Sequence, residues 1–349
     1  MNDDIADQLK RWISIQRYGS GLKNKANEQI DSLFADIVSR SARPNVLLRN
    51  IRANLLALKD KQVIDLIDDL VSMSSLIAES ENKRIVKDLG EEVSIQKVSK
   101  AETKKLYTGA TVTTAGSSPS KALNRAYTVA TGGLRINLLR LTEKKMTKEQ
   151  FLEQVSGIQD ELKRNVGTSI RTVTNRTANY AYEKQYKNTS INRVMWISVL
   201  DHRTSPFCQA ADTKVFKLNQ GPRPPAHLNC RSTVIVIDKE ETIEQVKRDL
   251  LPRAAVVSRS DKALSEKGLT TRTGKKRTAS RNPKRSPLKG TTVRNTSYET
   301  WLRSQSKLYQ QKVLGVKSAD KFRSGTQLSK VLEDKHSALD FSSLNEALN

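Results

Sequence analysis

Residues 196–237 read WISVLDHRTSPFCQAADTKVFKLNQGPRPPAHLNCRSTVIVI, and this stretch decides the fold. Val194, Trp196, Ser198 and Leu200 alternate with other residues, the period of a strand. The short stretch 214–217 is placed to pair with it. Residues 232–237, STVIVI, are nearly all β-branched and read as a third strand. Pro222, Pro224 and Pro225 stiffen the approach to His227. The segment 193–250 is therefore expected to form a small α+β knuckle, with 240–250 as a short helix before Pro252.

Outward from the knuckle the pattern is helical. Ile5, Leu9, Trp12 and Ile13 recur at helical spacing, as do Ile30, Leu33, Phe34, Ile37 and Val38. Pro44 breaks the run, and Asn45 is placed to cap the next helix. Leu47, Leu48, Ile51, Leu55 and Leu58 form one apolar stripe, and Val63, Ile64, Ile67, Leu70, Val71 and Ile77 a second. These read as the core-facing sides of a helical bundle. Residues 107–120 are rich in Gly, Ser, Thr and Pro and read as a hinge loop. Helix resumes near Lys121. Thr147 with Gln150 has the spacing of a capping box, and Gly167 is expected to kink or end the helix that it opens. Residues 297–313 read as one further helix, with Gly315 as its stop. The predicted fold is α+β and mainly α-helical. It comprises a helical region 1–106, the hinge 107–120, a helical region 121–192, the knuckle 193–250, a basic flexible linker 251–295 and a helical tail 296–349.

The chain has 349 residues, a net charge of +24 and a pI near 10.0. Residues 1–100 are nearly neutral, with sixteen basic against fifteen acidic side chains, whereas 251–290 hold twelve against two. Such a segment fits a solubilising linker, a sequence-independent grip on phosphates, or both. Arg272, Lys275, Lys276, Arg277, Arg281, Lys284 and Arg285 are the candidate contacts to double-stranded DNA. No aromatic interrupts 251–290, so base stacking is not expected there. Two cysteines exclude a disulfide-dense scaffold, and no apolar run is long enough for a membrane span. The acidic, amphipathic start is unlike a signal peptide, which leads to the expectation of a soluble intracellular protein.

Cys208, His227 and Cys230 are the candidate metal ligands, with Asp201 or His202 as a candidate fourth. His227 and Cys230 sit three apart, so one turn can present both, and zinc takes four such donors. Three readings of the trio stay open at this point: a zinc site, a metal-free knuckle, and a Cys208–Cys230 disulfide. No cofactor other than zinc is suggested.

The order of these features closely resembles the phage Mu F-like head morphogenesis domain, the family of SPP1-type minor head proteins. Asp201, Arg203, Thr204, Cys208, Lys214, Val215, Phe216, Pro224, Pro225, His227, Asn229, Cys230 and Arg231 carry the resemblance. Residues 171–187 resemble that family's helix with its Arg-Thr start, and 297–325 a tail segment found in the same proteins. Two positions depart from the pattern. Ser205 stands where many relatives have Cys, and Asp212-Thr213 where a Gly is usual. The resemblance implies a non-enzymatic minor capsid protein inside the virion near the portal, present in the host cytoplasm during assembly. Its implied partners are the portal or major capsid protein and packaged DNA, in support of head assembly or genome ejection. The alternatives are a metal-dependent nuclease or other DNA-acting enzyme, with His227 at its centre, and a basic DNA-binding protein of the host. Against an enzyme, no Asp or Glu pair lies close to His227 in the sequence, and no phosphate loop or nucleophile elbow is present.

Overall fold

Pro44 sets the first corner of the chain. Its ring holds φ near the helical value, and its missing N–H costs nothing in a first turn. Helix α1 (Asn2–Ser39) therefore ends before it, and α2 (Pro44–Leu89) starts on it with Arg43 as N-cap. Asn45, the expected cap, lies inside that first turn instead. The two apolar stripes beyond it belong to one 46-residue helix, closed by Gly90 in the left-handed conformation at φ 66°. This computed structural model describes residues 2–111, 117–237, 253–255, 291–293 and 297–348, with backbone alone for 2–10, 253–255 and 291–293.

The chain divides into two units. One is Lys10–Ser190 with Arg223–Cys230; the other is Met1–Leu9, Ile191–Pro222 and Arg231–Asn349. Residues on both sides of 107–120 thus fall in the same unit.

In the helical unit, α3 (Lys100–Thr108) opens with a Ser99–Glu102 capping box, and α4 (Pro119–Thr142) is capped by Ser118. Helix α5 (Lys148–Tyr186) opens with the predicted Thr147–Gln150 box. Gly167 does not interrupt α5. A Cβ there would come 3.0 Å from Lys23 Cγ on α1, so the glycine serves a close approach between helices rather than a break. The apolar stripes meet in a core of Ile30, Phe34 and Ile37, Ile51, Leu55 and Leu70, Leu134 and Leu138, and Phe151 and Val155. Each large side chain fully buried there contributes roughly 1.5–3 kcal/mol. Several polar groups in this core are paired. Tyr127 donates to Gln62 Oε1 at 2.6 Å, Gln62 donates to Ala26 O at 2.9 Å, and Tyr186 donates to Glu81, which also pairs with Arg11. The loop after α3 is pinned by Arg176, whose guanidinium donates to the carbonyls of Leu106, Gly109 and Ala110.

The second unit holds the predicted sheet. Strands β1 (Arg193–Ile197), β2 (Val215–Lys217) and β3 (Thr233–Ile237) pair antiparallel in the order β2-β1-β3, with Met195 opposite both Val215 and Ile235. Met195, Ile197, Val215, Ile235 and Ile237 pack on one face, joined by Leu348. On the other side, Trp196 meets Phe207 edge to face at 5.9 Å, and Phe207 stacks on Phe341 at 6.0 Å. Phe207 belongs to the short helix α6 (Pro206–Ala211). Leu348 N donates to Val215 O at 2.7 Å, so the end of the chain covers the edge of β2.

The expected helix over 240–250 and the candidate DNA contacts over 272–285 lie outside the described residues. The two ends of the expected linker are paired strands, β4 (Arg253–Ala255) and β5 (Thr291–Val293), the latter rich in strand-favouring β-branched residues. The tail is helical, but 297–313 is two helices, α7 (Tyr298–Arg303) and α8 (Lys307–Leu314). Ser306 restarts the helix by capping α8, and Gln310 donates to the carbonyls of Leu302, Arg303 and Gln305 at the break. Gly315 ends α8 at φ 78°, and α9 (Val316–Arg323) and α10 (Leu328–Lys335) come after it. The fold is mainly α-helical with a small antiparallel sheet.

Candidate functional site

Asp201, in the turn after β1, is fully buried and bound by cations. Arg231 donates to both carboxylate oxygens, at 2.6 and 2.7 Å. Arg203 adds its backbone N–H and guanidinium, and Thr204 its hydroxyl. Burial pushes the Asp201 carboxyl up, but Arg231 and then Arg203 outweigh it and hold the group below its ordinary range. The tail docks on this turn and its neighbour. Tyr298 gives its hydroxyl to Asp201 O and its N–H to Asp212 Oδ2, both at 2.7 Å. Asp212 Oδ1 accepts from Ser198 N at 2.8 Å. Asp201, offered by the sequence as a fourth metal ligand, is thus a structural node.

Thr213 adopts φ 61°, a region that a β-branched residue rarely enters. This is the place where the resembled pattern has Gly. The cause is local: Thr213 N must reach Trp196 O at 2.8 Å to enter β2. Gly221, at φ 80°, has no such freedom to change, since a Cβ there would sit 2.6 Å from Phe216 Cδ1.

In the helical unit, the loop 223–230 lies along α5. Arg223 pairs with Glu183, whose carboxyl burial raises to about 7 against the pull of that guanidinium. Arg171 Nε donates to Asn229 Oδ1 at 2.6 Å, Asn229 N donates to Thr172 Oγ1 at 2.7 Å, and Asn175 Nδ2 donates to Cys230 O at 3.1 Å. Two distant pieces of the sequence pattern, Arg171-Thr172 and Asn229, therefore bind one another. Asn229 sits at φ 61°, a conformation that Asn tolerates better than most residues. The Arg and Lys side chains that punctuate α5 also serve internal contacts: Arg176 holds the loop after α3, and Lys184 pairs with Glu102.

His227 and Cys230 are brought together by one turn, in which Cys230 N donates to His227 O at 3.2 Å. His227 Nδ1 lies 2.8 Å from Leu228 O. A carbonyl only accepts, so Nδ1 carries the proton and Nε2 the lone pair that a metal would take. Cys208 is in α6, whose N-cap is Ser205, with the Ser205 hydroxyl accepting from Cys208 N at 3.3 Å. Ser205, one of the two departures from the resembled pattern, is thus a helix cap. Neither cysteine is in a disulfide. Cys208 lies in the sheet-bearing unit and His227 and Cys230 in the helical unit, the cysteines buried and the histidine half-buried.

No helix among the described residues is long and apolar enough to cross a membrane. No curated protein and no solved structure matches the chain. One family model does match, from the end of α4 through α5 and the knuckle to β3. That model is described as Phage Mu protein F like protein, and residues 140–235 are similar to it.

Proposed function

We propose that the chain is a non-enzymatic head morphogenesis protein of a tailed phage. In this reading it is held at the portal or inner capsid, with its basic segment against packaged DNA. The observation that carries the reading is the family match over 140–235. The knuckle supports a structural role. The carboxylate of Asp201 is bound by two arginines, and its backbone carbonyl anchors the tail through Tyr298. In a hydrolase the same carboxylate would have to be free for a metal or a water.

The basic segment gives a direct test. Duplex DNA affinity of the full chain is measured against salt, beside a chain lacking 256–290, which keeps both short strands. Each lost phosphate contact flattens the slope of log K against log salt by about 0.9. A shallower slope and weaker binding support the DNA role, and identical curves exclude it. Nuclease activity is tested on the same DNA with magnesium, manganese or zinc. Cleavage by the native chain that vanishes in His227→Ala would replace the structural reading with an enzymatic one.

The trio Cys208, His227 and Cys230 suits zinc, which prefers thiolate and imidazole donors. Zinc would take these three donors, with the fourth position left to His202 or water. Metal analysis of the purified full chain, with Cys208→Ser and Cys230→Ser as controls, tests this. One equivalent of zinc lost in both variants supports it, and a metal-free native chain excludes it.

A further inference from the structure

Helix α4 has one face in the core and one in water. Leu123, Ala126, Ala130, Leu134 and Leu138 are buried. On the other side Val129, Ile136 and Leu139 are 49%, 53% and 45% exposed, with exposed Gly132 among them. These four positions have the spacing i, i+3, i+7, i+10 and make one continuous stripe. A Cβ added at Gly132 would meet nothing within 4 Å, whereas one at Gly133 would come 3.0 Å from Ile158 Cδ1 on α5. The open side of the helix therefore runs through Gly132. Lys121, Arg125, Arg135 and Arg140 are exposed around the stripe, and α4 contains no acidic residue.

Single exposed aliphatic residues need no explanation. Three large ones in register along a helix, accompanied on that helix by cations and no carboxylate, have the form of a helix-recognition face. We propose that this face of α4 docks an acidic amphipathic helix of another protein. Leu, Ile or Val of the partner would cover Val129, Ile136 and Leu139, and its Asp or Glu flanks would meet Arg125, Arg135 and Arg140. Gly132 lets the partner backbone come close. Charge decides the occupant: a second copy of α4 would set four cations against four, whereas an acidic helix finds one opposite charge at each edge. The inference rests on the head-assembly reading only for where the partner is found, as a head protein.

The test uses the full chain and a fluorescein-labelled synthetic helix of about three heptads. The peptide carries Leu at the stripe spacing and Glu at the flanks; a second peptide carries Lys in place of Glu. Fluorescence polarisation reads binding, and circular dichroism checks that each variant keeps the native helix signal. The native chain is expected to bind the Glu peptide and not the Lys peptide. Ile136→Asp/Leu139→Asp should weaken binding at least about tenfold, and Arg135→Glu/Arg140→Glu should reverse the preference. Equal binding of both peptides, unchanged affinity in the Asp variant, or displacement of the peptide by short duplex DNA would each overturn the proposal. So would a native dimer that Ile136→Asp/Leu139→Asp dissolves, since the occupant would then be a second copy. Heads that retain the chain while the Glu peptide fails to bind would refute this face and leave the head-assembly reading standing.

Discussion

Arg231→Met tests the node that joins the tail to the knuckle. The substitution keeps an unbranched apolar stem and removes the two short bonds to the Asp201 carboxylate. Asp201 is fully buried, while its remaining cation, Arg203, is 59% exposed. Stranding one member of a buried pair costs about 3–5 kcal/mol. The residual bonds from Arg203 and Thr204 place the loss near the low end, about 3 kcal/mol. Urea unfolding read by Trp196 and Trp301 measures it, in a Trp12→Phe background so that both reporters lie in the knuckle unit. With a slope of roughly 1–3 kcal/mol per molar, the midpoint should fall by about 1–3 M.

The pH dependence supplies a second signature. In the native chain the folded carboxyl lies below its ordinary range. The group therefore stabilises the fold above its unfolded pKa, and that stability is lost as pH falls through the folded value. In Arg231→Met burial dominates and the folded pKa rises above the unfolded one, so the group's contribution falls as pH rises. Replacing both partners, as Asp201→Leu with Arg231→Met, should recover most of the loss, because no charge is left stranded. An Arg231→Met chain with the native midpoint and native acid limb would refute the assignment of Asp201 as the structural node.

Three further outcomes rest on the same physics. Thr213→Gly relieves a β-branched residue at positive φ and should raise stability by about 0.5–1 kcal/mol in the same titration; a loss would show that the Thr213 side chain matters more than its strain. Gly221→Ala should cost at least about 1–3 kcal/mol, since the added Cβ overlaps the Phe216 ring at a left-handed backbone position; near-native stability would show that this turn repacks freely. Burial pushes the Glu102 carboxyl up, but bonds from Lys184, Ser99 and Tyr180 overcome it and bring it to about 2. Its contribution, about 1 kcal/mol after solvent screening, is present above pH 4.5 and lost toward pH 2. Glu102→Gln should flatten that part of the acid limb, and an unchanged limb would contradict the assignment.

The parts of the fold legible in the sequence were those set by local chemistry. The β-branched 232–237, the Thr147–Gln150 box and the Gly315 stop each depend on neighbours a few residues away. What could not be read depended on long-range contacts. Gly167 looks like a helix breaker until Lys23 is seen against it. Asp201 looks like a ligand until Arg231, thirty positions on, is found on it. Residues 297–313 look like one helix because the pattern does not reveal that Gln310 will take up the carbonyls at the break. The candidate site shows the same division. The His227–Cys230 turn was visible as spacing, whereas the clamp of Arg171 and Thr172 on Asn229 joins residues more than fifty positions apart.

The central claim is that this chain is a component of a phage head. Mass spectrometry of density-purified, nuclease-treated particles from the strain that carries the gene tests it most directly. The account predicts peptides from both units of the chain at a low, fixed ratio to the major capsid protein, in heads with and without DNA. Full heads that lack the chain, together with empty heads and assembly intermediates that never contained it, would contradict it.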